Sequence, residues 1–227
     1  MISGVLFDLD GTLLDCIVPM EKILVDVLLR LGVRDARRKK VEVVKNLRSI
    51  LLHGSSAFDG FRLLWRLGRH LGIGPLKRFV MILLAYRALR TAYLNPSLFP
   101  GTKKLLLDLK NAGISVAIVT TRSSKEASHV LKKCSIDSYF DFVVSRDLVK
   151  RGKPFPDPVL FALEKMGIGP DQAVMIGDMP TDIEAGRAAG TKTIGLAIGI
   201  FNEELKMSNP DAVAFSLEEI PLIIARL

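Results

Sequence analysis

The chain predicts an α/β fold carrying an all-helical insertion, and three observations predict it. Short apolar runs at 2–7, 114–121, 140–145 and 173–176 have the length and composition of buried strands. Beyond residue 100, strands of this kind alternate with segments of helical spacing at 103–111, 125–134, 158–166, 182–189 and 217–226. Between 17 and 95, by contrast, apolar residues recur only at helical spacing and no alternating strand is seen.

The first run, 2–7, gives way to Asp8-Leu9-Asp10-Gly11-Thr12, which places two carboxylates at its carboxyl end. In an open parallel α/β sheet that end is where ligands bind, and Gly11 frees the backbone to turn sharply there. One carboxylate can attack while the other handles protons, although the same letters also occur in calcium loops and plain turns. The insertion follows. Ile23, Leu24, Val27, Leu28 and Leu31 trace one helical face, and Gly32, Gly54 with Ser55, and 72–75 divide the region into about four helices. Its flanks, 15–19 and 95–100, carry prolines and small residues suited to hinges.

The second run, 114–121, delivers the Thr120 hydroxyl at its end. Lys153, in Gly152-Lys153-Pro154, follows the third, and the fourth ends in Gly177-Asp178-Met179-Pro180-Thr181-Asp182. Each signal has an ordinary explanation. Threonine is a strand former, a lysine before proline usually faces solvent, and Asp178 with Asp182 could be an N-cap and a first-turn acid answering the helix dipole. Taken in order, the four strand ends supply acids, a hydroxyl and an ammonium, a set that can hold a phosphate and a divalent cation.

This set resembles the haloacid dehalogenase superfamily of phosphotransferases, and within it the small phosphatases similar to phosphoglycolate phosphatase, which carry a helical cap between the first and second motifs. The resemblance implies a doubly wound, Rossmann-like parallel sheet, with a catalytic core at 1–15 and 97–227 and a cap at 16–96. It implies a Mg²⁺-dependent phosphatase that hydrolyses a small phosphate monoester through an aspartyl phosphate. Asp8 would attack phosphorus, and Asp10 would protonate the leaving oxygen and later take a proton from water. The carbon-halide branch lacks a carboxylate at the second place, so Asp10 argues for phosphoryl transfer. Thr120 and Lys153 would bind the phosphoryl oxygens, with Thr121 on the substrate side. Mg²⁺ would be held by the side chains of Asp8 and Asp178 and the carbonyl of Asp10. Asp182 and Thr12 would support them, Asp182 by orienting a water or Lys153. Arg122 reads as a structural salt bridge in preference to a contact with a substrate anion. Thr121 stands where asparagine is frequent and Cys16 where serine or threonine is frequent, so substrate identity stays open.

Composition agrees. A length of 227 residues fits a core plus an insert, and 49% hydrophobic residues can fill an interior. Cys16 and Cys134 lack metal spacing and read as reduced and buried. No apolar stretch approaches the ~20 residues that a membrane helix needs, and the amino terminus starts a strand without a basic leader, so a cytoplasmic protein is expected. Residues 17–95 hold sixteen Lys and Arg against five Asp and Glu, a balance of +11 within a total of +8. That charge could draw in anionic esters. The cluster Arg34, Arg37, Arg38, Lys39 and Lys40 reads first as a solvated face, with nucleic acid a minor alternative. His53, His70 and His129 are scattered without metal spacing, and Trp65 reads as packing. The apolar stretch 63–94 is long for one helix face and suits either a homodimer contact or a roof for the pocket. Two other functions stand beside phosphatase: a phosphomutase, and a non-catalytic protein whose basic insertion docks on RNA, a membrane or a partner.

Overall fold

In a computed structural model of the chain, residues 1–15, 17–33, 36, 57–198 and 202–227 are described. Cys16, His53, Gly54 and Ser55, and the basic residues Arg34, Arg37, Arg38, Lys39 and Lys40, lie outside them. The chain divides into two compact units, Met1–Asp15 with Pro96–Leu227, and Cys16–Asn95.

The first unit is built on a six-stranded sheet, every neighbouring pair parallel. Its strands are β1 (Gly4–Phe7), β4 (Ser115–Val119), β5 (Phe142–Val144), β6 (Ala173–Gly177), β7 (Lys192–Leu196) and β8 (Ala212–Ala214), in the spatial order β5-β4-β1-β6-β7-β8. From β1 the chain steps outward through β4 to β5. It then returns beside β1 as β6 and steps the other way through β7 to β8. The order therefore reverses between β1 and β6, and a doubly wound sheet forms its ligand crevice at the carboxyl ends of the strands where that happens.

Parallel sheets need both faces covered, and the strands are accordingly apolar on both. Leu6, Ala117, Val119, Val144 and Met175 pack on one face with Val159, Ala162 and Leu163 of α6 (Asp157–Met166) and with Ala185 and Ala189 of α7 (Pro180–Ala189). The alternate residues Val5, Phe7, Val116, Ile118, Val174 and Ile176 are also buried. So are Leu105, Leu106 and Leu109 of α4 (Thr102–Asn111). Helix α5 (Ser124–Cys134) starts with a reciprocal capping box between Ser123 and Glu126. The remaining α-helices among this unit's described residues are α8 (Asn202–Met207) and α9 (Ile220–Ile224).

Where the insertion leaves the first unit, Leu14 and Asp15 (β2, Leu14–Asp15) pair antiparallel with Leu98 and Ser97 (β3, Ser97–Leu98). Phe99 N–H donates to Leu13 O at 3.0 Å, and Thr102 Oγ1 donates to the same carbonyl at 3.3 Å. The flanks expected to be hinges thus enter and leave through a short hydrogen-bonded ribbon.

The second unit contains α1 (Ile17–Arg30), α2 (Ala57–His70) and α3 (Pro75–Leu94) among its described residues, where about four helices were expected over the whole insertion. Leu24, Val27 and Leu28 are buried with Leu64, Leu67, Met81, Ile82 and Ala85, which is the helical face read from the spacing. Helix α3 is apolar on both faces. Leu76, Phe79, Val80 and Leu83 remain exposed opposite Met81 and Ala85.

Several expectations needed correction. The run 140–145 contributes only three residues to its strand. Strands β7 and β8 were not anticipated: Lys192, Thr193 and Gly195 dilute the apolar signal of the first, and the second is three residues long. The helix expected at 217–226 is a 3₁₀ turn at Leu217–Glu219 followed by the five residues of α9. Cys134 is only half-buried, as the last residue of its helix, and its thiol approaches the Pro96 carbonyl at 3.8 Å. His70 and His129 are exposed, and Trp65 packs with Phe61 and under Arg78. No helix among the described residues is long and apolar enough to cross a membrane.

Candidate active site

Backbone geometry brings the predicted residues to one place. Asp8 follows β1 directly, and its N–H still pairs with Ile176 O at 2.8 Å. Thr120 follows β4 in the same manner, with its N–H on Val144 O at 2.9 Å. Asp178 follows β6. Three strand ends at the reversal of strand order thus present their side chains together. The turn after β1 closes when Leu13 and Leu14 N–H both bond Leu9 O, with Gly11 at φ +91°. That φ favours glycine, and the space requires it too: a Cβ on Gly11 would run into the Asp178 carboxylate. Gly177 is equally constrained, since a Cβ there would meet Asp182.

The side chains form a buried electrostatic knot. Lys153 Nζ lies 2.5 Å from Asp8 Oδ1 and 2.6 Å from Asp182 Oδ1, and donates to Val119 O at 3.0 Å. These side chains are 4% (Lys153), 6% (Asp8) and 1% (Asp182) exposed. Asp182 Oδ2 also accepts from Met179 N–H at 3.0 Å, tying the start of α7 to the lysine. Thr12 Oγ1 donates to Asp178 Oδ1 at 3.3 Å. Thr120 Oγ1 accepts from Arg122 N–H at 3.2 Å, which leaves its own hydroxyl proton available to an acceptor. Thr121 is exposed at the same strand end. Arg122, fully buried, makes the expected salt bridge. Its partner is Asp10, gripped through Nε to Oδ2 at 2.7 Å and Nη2 to Oδ1 at 2.6 Å.

Burial governs the charge states. Asp8 is raised from 3.8 to about 7, chiefly because its charged form is desolvated; Lys153 opposes the shift, and Asp182 adds to it. Asp178 is pushed well above the usual carboxylate range, by burial first and then by Asp8 and Asp182. For Lys153, burial alone would lower the value, yet the two adjacent carboxylates outweigh it and hold the ammonium protonated.

The donor set fits a hard divalent cation. Asp8, Asp178 and Asp182 each offer an oxygen, all within 4.8 Å of one another. Asp182 is committed to Lys153 and Met179, but Asp178 Oδ2 is buried with no hydrogen-bond partner. An unpartnered carboxylate oxygen among raised acids is what a cation with oxygen ligands would neutralise.

Residues 5–196 match the family model of haloacid dehalogenase-like hydrolases. The chain belongs to that family. A phosphoglycolate phosphatase from Shigella boydii is 30% identical over 96% of this chain and 91% of its own length. The phosphoglycolate phosphatase of Escherichia coli K12 is 35% identical over 54% of the chain and 49% of its own length. A haloacid dehalogenase family hydrolase from Deinococcus radiodurans, solved with bound phosphate and sodium, superposes with a TM-score of 0.80 at 22% identity, covering 99% and 96% of the two chains. The doubly wound core of this haloacid dehalogenase-like chain agrees with that likeness.

Two features of the site escaped the sequence reading. The Val119 carbonyl that anchors Lys153 has no side-chain signature. The capping box that starts α5 did have one, in the Ser123-x-x-Glu126 pattern.

Proposed function

We propose that this protein is a Mg²⁺-dependent phosphatase acting on small phosphate monoesters through a phosphorylated Asp8. One observation carries the reading: at the crevice, the Asp8 carboxylate is held by Lys153 through one oxygen and grouped with Asp178, whose free oxygen is buried beside it. Asp8 Oδ2 attacks phosphorus, and the bond to the ester oxygen breaks as that oxygen takes a proton from Asp10. Water then attacks phosphorus as Asp10 takes its proton, and the bond from phosphorus to Asp8 Oδ2 breaks, which releases inorganic phosphate and restores the Asp8 carboxylate. The Thr120 hydroxyl donates to a phosphoryl oxygen, and the Lys153 ammonium beside Asp8 offsets the charge of phosphate and nucleophile together. Asp182 keeps Lys153 aimed. Mg²⁺, held by Asp8, Asp178 and the Asp10 carbonyl, would cancel the repulsion between carboxylate and phosphate. The helical insertion is the proposed cap, the part that selects substrate. Names among the relatives make phosphoglycolate the first ester to assay.

Release of inorganic phosphate from 4-nitrophenyl phosphate and a panel of small esters tests the reading. Activity is expected to vanish with EDTA and in Asp8→Asn. The wild type should acquire a hydroxylamine-labile phosphate that the variant lacks. Turnover persisting in Asp8→Asn would refute the proposal, and conversion of a hexose 1-phosphate to an isomeric phosphate would replace phosphatase by phosphomutase.

A further inference from the structure

Helix α3 has a second apolar face that the core of its own unit does not use. Met81, Ile82 and Ala85 fill that core, whereas Leu76, Phe79 and Leu83 on the opposite side are 80%, 58% and 55% exposed. With Val80, also exposed, they stand at i, i+3, i+4 and i+7 and form one stripe. Arg87 and Arg90, four and seven residues beyond Leu83, are exposed and continue it. At 1.5 Å per residue the stripe runs about 21 Å from Leu76 to Arg90. Charge decides what fits there, since residues 60–95 hold seven Lys and Arg and no Asp or Glu. If two copies paired antiparallel about Leu83, Phe79 would oppose Arg87 and Leu76 would oppose Arg90; if they paired parallel, each arginine would meet its own copy. Neither arrangement gives the arginines a carboxylate from this segment, and a desolvated unpaired cation is costly. A nucleic acid strand would answer the charge but find a single ring, Phe79, among aliphatic side chains. An anionic bilayer surface answers both halves of the stripe.

We propose that this face of α3 docks the protein on anionic lipid membranes. Leu76, Phe79, Val80 and Leu83 enter the boundary between headgroups and acyl chains, to a depth of about 5–10 Å. Arg87 and Arg90 lay their aliphatic stems along the same boundary and keep their guanidinium groups among the lipid phosphates. The contact is peripheral, because α3, interrupted by Lys77, Arg78, Arg87 and Arg90, is not a membrane-spanning helix. It is independent of the phosphatase reading, which stands or falls on Asp8.

The full chain is sedimented with vesicles of phosphatidylcholine alone and with vesicles containing about 30% phosphatidylserine, the source of surface charge. Binding is expected only to the second kind. Its affinity should fall at least about tenfold in Leu83→Asp and, separately, in the double variant Arg87→Glu with Arg90→Glu, because each removes one half of the contact. Where Leu83→Asp does not fold, Leu76→Asp at the most exposed position of the stripe takes its place. No binding to phosphatidylserine vesicles overturns the inference. So does a loss confined to the arginine variant, which would show adsorption by charge alone. A lipid-free dimer in sedimentation velocity that Leu83→Asp dissociates would assign the face to a second copy and overturn it as well. None of these results bears on release of phosphate from small esters.

Discussion

Replacing Lys153 by methionine would remove the only cation within the buried cluster of Asp8, Asp178 and Asp182 among the described residues. Methionine fills the space left by the aliphatic stem but abolishes contacts at 2.5 Å to Asp8, 2.6 Å to Asp182 and 3.0 Å to Val119 O. Removing one partner from a buried ion pair costs about 3–5 kcal/mol, because the remaining charge is left uncompensated. At about 2–4 °C per kcal/mol for a chain of this size, Tm should drop by about 6–20 °C at pH 8 in EDTA. The acids can escape this cost by taking up protons. Asp8, raised to about 7 even with the lysine present, is largely protonated at pH 5.5, so the loss there should be less than half that at pH 8. Differential scanning calorimetry of both proteins at the two pH values measures it. Equal losses at both pH values, or a variant as stable as wild type at pH 8, would refute the account of Lys153 as the neutralising charge.

In Gly11→Ala, the new Cβ would press on the Asp178 carboxylate from a backbone at φ +91°; the Mg²⁺ concentration for half-maximal activity should rise at least about tenfold, and an unchanged metal titration would contradict the close approach. Because the folded-state values of Asp8 and Asp178 lie above their unfolded ones, their contribution to stability is full below about pH 4 and is lost as pH rises, through about 7 for Asp8. Mg²⁺ needs those carboxylates ionised, so it should raise Tm more at pH 8 than at pH 5.5 and release protons on binding, which calorimetry in buffers of different ionisation heat would detect. A Tm increment that is the same at both pH values would count against Asp8 and Asp178 as the ligands.

The residues 8, 120, 153 and 178 were legible from the chain because each follows or trails an apolar run, and strand ends at a reversal of strand order converge whatever the intervening loops do. The alternation of strands and helices from residue 100 onward was legible for a similar reason, since sheet and helix burial leave different periods in the sequence. Strands β7 and β8 were not, because burial by neighbours lets short, mixed segments such as 192–196 pair where local composition is weak. The partnership of Arg122 with Asp10, 112 residues apart, was equally invisible. Sequence shows that both groups are charged, but which carboxylate a buried guanidinium must neutralise depends on what the folded chain packs around it. The same holds for Lys153: its charge is written in the chain, while its place between Asp8 and Asp182 is a consequence of three strand ends and a helix start meeting in a volume too small for unpaired charge.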